Sequence, residues 1–522
     1  MTRRLLTVLL LAGTGACRSG AARPVESPTP RHPDVGREAA AGLTFPPLEF
    51  DPPAPVMHTL AGGVRVLHVQ DPTLPLVNVL ARFRGGYALF PREYYGAASA
   101  VPALLRNGGT TRLSPDSVDA LFELYALQTT FGSGGESAFA AVNVLARDLA
   151  RGVELWGELL RDPGFDPAQV EVWRGRELEN ARRRTDDPGR LAFSEFNRLM
   201  YGSHPVGWEL RPGDLEPEDL SRDRLEWVHR RVFCPENLVL GVTGDVAWTE
   251  VEPLLTDMLE GWRPCSEPLP ERPLPDIRKG GGVFLIPRKL SQSTIVLAEA
   301  SDVVQGDDAP YFASRIGNAI LGAGGFSSRI MTRVRTEEGY AYSASSLWTA
   351  PRRGQGLVGA VTRTRGATTV AAVKLILDIL RQMREEPPTI EEVRTAVEEY
   401  TNGFVFNFES AARIVSRQMV YRSEGLPEDW LERYLEGIQD VTPGDVQQAF
   451  RRYVRPDEMV ILVLGDPSSF DEPLEELGPV TVLDVDDPGR SEEGSSPDRQ
   501  PAGEAGRVMG AYGPSGGRRS RR

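Results

Sequence analysis

An eleven-residue frame occurs twice in this chain and constrains its fold more than any other feature. Pro235 begins PENLVLGVTGD and Pro456 begins PDEMVILVLGD, a displacement of 456 − 235 = 221 residues. The shared pattern is P-[DE]-x-[LM]-V-[LI]-x-V-x-G-D. Each copy is an apolar, β-branched run closed by a Gly-Asp turn, which is a strand signal. Each follows a helical stretch ending in paired arginines, Arg230-Arg231 and Arg451-Arg452. A repeat of this period denotes two duplicated domains rather than a solenoid of short units.

A chain of 522 residues exceeds what one hydrophobic core holds, which agrees with duplication. The boundary falls at residues 263–282, RPCSEPLPERPLPDIRKGGG, where five prolines and three terminal glycines stop both helix and sheet. The expected halves are residues 47–262 and 283–485. Strands are expected at 64–69 and 76–83, with counterparts at 283–286 and 294–299. Helix starts are marked by a capping side chain before a proline: Ser114-Pro115, Asp166-Pro167 and Thr442-Pro443. Thr389 and Glu392 form a capping box. The pattern is α+β, with a mostly antiparallel sheet covered by helices in each half.

The termini differ from the body. Arg3 and Arg4 precede a short apolar run, and residues 1–16 read as a secretory signal. Thr14-Gly15-Ala16-Cys17 resembles a bacterial lipobox, which implies cleavage before Cys17 and acylation of that residue. An ordinary signal peptide with an incidental Cys is the alternative. Residues 17–46 read as a lipidated Cys and flexible tether, and 486–522 as a disordered tail. Arg18 after Cys17 favours the outer membrane, with the chain on the periplasmic face. Cys234 and Cys265 either pair or stand as separate thiols; two cysteines make no disulfide framework. The net charge of −14 argues against a nucleic-acid surface.

A histidine zinc motif is missing. The five histidines are His32, His58, His68, His204 and His229, and no two lie four or fewer positions apart. They are read as structural or surface groups. No G-x-S-x-G elbow or Cys/His pairing suggests another hydrolytic site.

Two segments carry a resemblance. Residues 95–110, YGAASAVPALLRNGGT, and residues 325–343, GFSSRIMTRVRTEEGYAYS, resemble signature segments of the pitrilysin/insulinase family of zinc peptidases. In that family the first kind of segment carries H-x-x-E-H. The alignment puts Ser99 and Ala103 at the histidine positions and Pro102 at the catalytic glutamate. A proline there disfavours a helix interior by ~3 kcal/mol, so the helix is expected to begin late or bend. Counting back from Asp186-Asp187-Pro188 puts Asn180 at the third ligand position, with Glu179 one step away.

The second segment keeps the family pattern: Ser328-Arg329, Val334-Arg335, Gly339 and Tyr342. The resemblance implies that Arg335 and Tyr342, 342 − 335 = 7 positions apart, bind the substrate backbone. Gly339 is expected to stop the helix in a left-handed conformation. Without the resemblance, the pair reads as a surface Arg and a half-buried strand Tyr. Gly322, Gly324 and Gly325 form a Gly-rich turn where such proteins carry a glycine loop; a plain helix–strand connection is the alternative.

The resemblance covers residues 50–485. It implies two pitrilysin-type domains arranged as a clamshell around peptide. It further implies a non-catalytic member, similar to the alpha subunit of mitochondrial processing peptidase, inactive alone and binding no cofactor itself. Zinc is expected in a partner subunit of the same family, in a heterodimer that grips extended peptides. A scaffold protein with no peptidase partner is the alternative.

Overall fold

The computed structural model describes residues 54–485; the signal segment, Cys17, the tether and the tail lie outside the described residues. Each half holds one six-stranded sheet. The first contains β1 (Val56–Thr59), β2 (Arg65–Gln70), β3 (Leu76–Arg84), β4 (Gln128–Ser133), β5 (Ser137–Leu145) and β6 (Leu238–Gly244). The second contains β7 (Gly282–Pro287), β8 (Gln292–Ser301), β9 (Ala341–Trp348), β10 (Gly356–Arg365), β11 (Val460–Gly465) and β12 (Val480–Val482). The orders are β1-β2-β6-β3-β5-β4 and β12-β7-β11-β8-β10-β9. Five strands correspond one to one, and only the outermost strand beside β2 or β7 differs in origin. Pairing is antiparallel except for β2–β6, β7–β11 and β12–β7.

The repeated frame forms β6 and β11, near the centre of each sheet. Every residue of both strands is buried. A strand alternates buried and exposed only when one sheet face is solvated. Here both faces are covered. Leu238, Leu240 and Val242 of β6 enter the core of their own half. Val239 faces the other way, with Leu67 and Val69, against Ala411, Val415 and Met419 of the helix Ala411–Ser423 from the C-terminal half. The reverse crossing also occurs. The helix Pro188–Tyr201 of the N-terminal half lays Leu191, Ala192, Phe196 and Met200 on Phe284, Ile286, Val296, Leu462 and Leu464 of the second sheet. Each half therefore supplies one apolar helix to the other half's sheet.

Local signals explain the helix starts. Ser114 accepts from the Ser117 amide at 3.3 Å, and Asp166 accepts from Ala168 and Gln169. Thr442 and Asp445 satisfy each other's amides, as do Thr389 and Glu392. The segment between the halves has neither helix nor strand from Trp262 to Lys279. It is held in place rather than loose: Leu269 packs on the first core, Ile277 on the second sheet. Cys234 and Cys265 are joined by a disulfide, with Cα atoms 5.1 Å apart.

One local expectation fails. The helix carrying Ser99 runs unbroken from Tyr95 to Asn107, with Pro102 inside it. Ala97, Ala100, Val101, Leu104 and Leu105 on this helix are at most 1% exposed. Burial of that apolar face outweighs the ~3 kcal/mol cost of an interior proline.

Candidate functional site

The helix Tyr95–Asn107 packs against the helix Pro167–Arg182, so the structure brings together the two elements from which a zinc site would be built. The side chains do not suit zinc. Ser99 offers a hydroxyl, Ala103 a methyl and Pro102 a buried ring. Asn180 is exposed, and its amide donates to Glu177 at 3.1 Å. Glu179 pairs with Arg183 at 2.6 Å. Zinc sites in proteins use thiolate, imidazole and carboxylate donors. A hydroxyl and an amide do not replace two imidazoles and a carboxylate.

The four described histidines have other partners. The His68 ring bonds the Val246 carbonyl at 3.0 Å, His204 that of Pro273 at 2.9 Å, and His229 that of Leu160 at 2.8 Å. His58 stacks on Trp248 at 3.7 Å. Burial pulls His229 down to about 4, so it stays neutral. Among the described residues, one group has metal-like spacing, Cys234, Glu236 and Cys265, and its two sulfurs are already bonded to each other.

The segment 325–343 is held rigidly at its base. Ser328 is buried and donates to the Gly325 carbonyl at 2.7 Å. Arg329 clamps Glu392 in a bidentate pair, at 2.6 and 2.9 Å. Glu392 also caps its own helix through Thr389, so one carboxylate ties the segment to the helix Ile390–Phe404. Ile330 and Val334 are fully buried and fix the turn Met331–Glu337, which is π-helical. Gly339 ends it at φ 62°, the left-handed conformation expected of it. The chain then enters β9, with Tyr342 81% exposed on its surface.

Arg335 lies between two rings. Its guanidinium carbon is 4.9 Å from the Tyr342 ring centroid and 4.8 Å from that of Phe326. Phe326 is 75% exposed. Arg335 forms no ion pair among the described residues. Two cation–π contacts at an exposed site are each worth about 0.5–1 kcal/mol, enough to bias one rotamer without consuming the N–H donors. A guanidinium held this way, beside an exposed phenol, can bond a peptide carbonyl or a developing oxyanion. Phe326 was not singled out from the sequence. Its only signal is an aromatic directly after the glycines.

The glycine run is not one loop. Gly322 is buried in the π-helical turn Ala319–Ala323, where a Cβ would collide with the Ser346 backbone of β9. Gly322 therefore allows close helix–strand packing and does not face a peptide. Only Gly324 and Gly325 remain in a turn, Gly325 at φ 72° with open space around its Cα.

A family described as the peptidase M16 inactive domain matches residues 219–400. This is the pitrilysin/insulinase family. The chain is similar to members of it along both halves. A Streptomyces coelicolor protein named as an uncharacterized zinc protease is 29% identical over 78% of this chain and 89% of its own length. A Helicobacter pylori relative named as a non-peptidase homolog is 20% identical over 77% and 92%. In fold, an M16 inactive-domain structure from Pseudomonas fluorescens matches with a TM-score of 0.70 and 24% identity, covering 79% of this chain and 98% of the other. The periplasmic protease PqqL of Escherichia coli matches with a TM-score of 0.68 and 13% identity, covering 81% of this chain but 48% of PqqL. The M16 match runs from near the end of the first half, through the segment that joins the halves, into the second.

Proposed function

We propose that this protein is a non-catalytic subunit that grips extended peptides and completes the active site of a zinc-bearing M16 partner. The observation that carries the reading is Arg335, stacked between Phe326 and Tyr342 on an exposed surface, in a chain whose zinc-helix positions are Ser99, Pro102 and Ala103. The crossing helices hold the two halves against each other, so the enclosure for peptide lies between this chain and its partner. Zinc in the partner would supply the Lewis acid; this chain would supply Arg335 and Tyr342 as donors to the substrate backbone. Acylated Cys17 would hold the pair at the periplasmic face of the envelope, in the outer membrane.

The test is reconstitution with an M16 homologue that carries H-x-x-E-H. The mixture should cleave peptides far faster than either chain alone. Arg335→Ala in this chain should slow it by about 10²–10³, the usual loss for one oxyanion donor. Chelator-sensitive proteolysis by the lone chain would overturn the proposal. So would an unchanged rate with Arg335→Ala, which would favour a scaffold role.

A further inference from the structure

The duplication gives the helix pair that resembles a zinc site a counterpart in the C-terminal half. β3 and β8 are each followed by a helix, Tyr95–Asn107 and Ala309–Asn318, the latter extended by the turn Ala319–Ala323. Each run ends at a glycine pair, Gly108-Gly109 and Gly324-Gly325, an offset of 324 − 108 = 216. At that offset Ser99 corresponds to Arg315, since 99 + 216 = 315. The helices Pro167–Arg182 and Ile390–Phe404 begin after the caps Asp166 and Thr389, an offset of 389 − 166 = 223. That offset takes Asn180 to Gly403, since 180 + 223 = 403.

Arg315 and Gly403 line one cavity of about 420 Å³. This volume lies within the range of small-molecule sites. Its walls are aromatic, with Tyr311, Tyr400, Trp430 and Tyr434 among them. Arg315 forms no ion pair among the described residues. Its neighbours in the lining are phenols, Tyr311, Tyr400 and Tyr434, with the Tyr400 ring centroid 5.6 Å away. A guanidinium cannot shed its charge, and withdrawing it from water without a counter-ion is costly. An anion in the cavity would offset that cost. The charged lining residues are Arg315, Arg417 and Glu399, a net charge of +1 that suits a monoanion better than a phosphate dianion. A planar guanidinium matches a carboxylate in two parallel hydrogen bonds.

We propose that this cavity binds a carboxylate attached to an aromatic or apolar group, the chemistry shared by a peptide's C-terminal residue and a free aromatic acid. The cavity belongs to this chain alone. Its test needs no partner, and its failure leaves the role of Arg335 untouched.

The experiment is calorimetric titration of the purified full-length chain. The probes are N-acetyl-phenylalanine, its C-terminal amide, phenylpropionate, and a pentapeptide ending in free phenylalanine. The acids should bind and the amide should bind at least tenfold more weakly. A pentapeptide that binds more tightly than phenylpropionate identifies a peptide terminus as the source; the reverse order identifies the small acid. Arg315→Gln should weaken the acids at least tenfold. A Cβ at Gly403 meets nothing within 4 Å, so Gly403→Leu fills the cavity without disturbing the backbone. It should abolish binding while leaving the denaturation midpoint unchanged or raised. Equal affinity for acid and amide, or acid binding that survives Gly403→Leu, overturns the proposal.

Discussion

Replacing both Cys234 and Cys265 by Ala tests the disulfide and the compartment together. The bond closes a loop of 31 residues. The chain-entropy relation gives a loss of about 12 cal/mol/K in the unfolded state, or ~3.7 kcal/mol at 25 °C. The folded state should change little, because other contacts hold the loop. Trp262 donates to the Phe233 carbonyl at 3.0 Å, and the Cys265 amide donates to Glu236 at 3.0 Å. The double variant should therefore keep its fold and lose its margin. The described body has 485 − 53 = 432 residues. With an unfolding entropy of about 2.1 cal/mol/K per residue, ~3.7 kcal/mol corresponds to a Tm lowered by about 4 °C. Thermal denaturation of the oxidised chain, the reduced chain and the double variant measures it. Reduced and double-variant chains should agree. An unchanged midpoint in the double variant refutes the entropic reasoning. Free thiols from Cys234 and Cys265, titrated in denaturant after isolation from the envelope, refute the disulfide itself and with it the oxidising compartment.

Three further outcomes are expected. Gly339→Ala should cost about 1–2 kcal/mol in denaturant, because the residue stands at φ 62° with open space around it, and should weaken peptide binding by displacing Tyr342. Phe196→Ala removes a ring that is 1% exposed between the crossing helix and the second sheet, and should cost about 3–5 kcal/mol by the same assay. Glu299 is pushed up to about 7 by burial, only partly offset by Arg455. Its folded form holds a proton more tightly than its unfolded form, so stability should fall as pH rises from about 4.5 to 7. Glu299→Gln should flatten that slope in denaturation midpoints taken across the window.

Much of the fold was legible because it depends on local chemistry. The Gly-Asp frame gave β6 and β11, and Ser114, Asp166, Thr389 and Thr442 cap the helices they precede. Of the edge strands, β4 was not marked and β9 was marked only where Tyr342 enters it. Their sequences, QTTFGS and AYSASSLW, are polar and weakly alternating. The crossings were invisible for a different reason. The apolar stripe of Pro188–Tyr201 says that one face is buried but not on which half's sheet. Pairing of Cys234 with Cys265 cannot be read from spacing. At the site, the Arg335–Gly339–Tyr342 register followed from the motif, while the Phe326 ring and the Arg329–Glu392 clamp depend on three-dimensional proximity. Gly322 shows the opposite error: a glycine taken as a sign of an open turn serves close packing.

The reciprocal crossing bears on how such a chain can change over time. The half that carries Ser99, Pro102 and Ala103 on its helix Tyr95–Asn107 covers the other half's sheet through Leu191, Phe196 and Met200. Deleting it would leave Phe284, Val296 and Leu462 facing water on the body that carries Arg335 and Tyr342. The N-terminal half is thus indispensable to packing whatever chemistry it carries. Its sequence is then constrained by packing, through the buried face of the helix Tyr95–Asn107 as well.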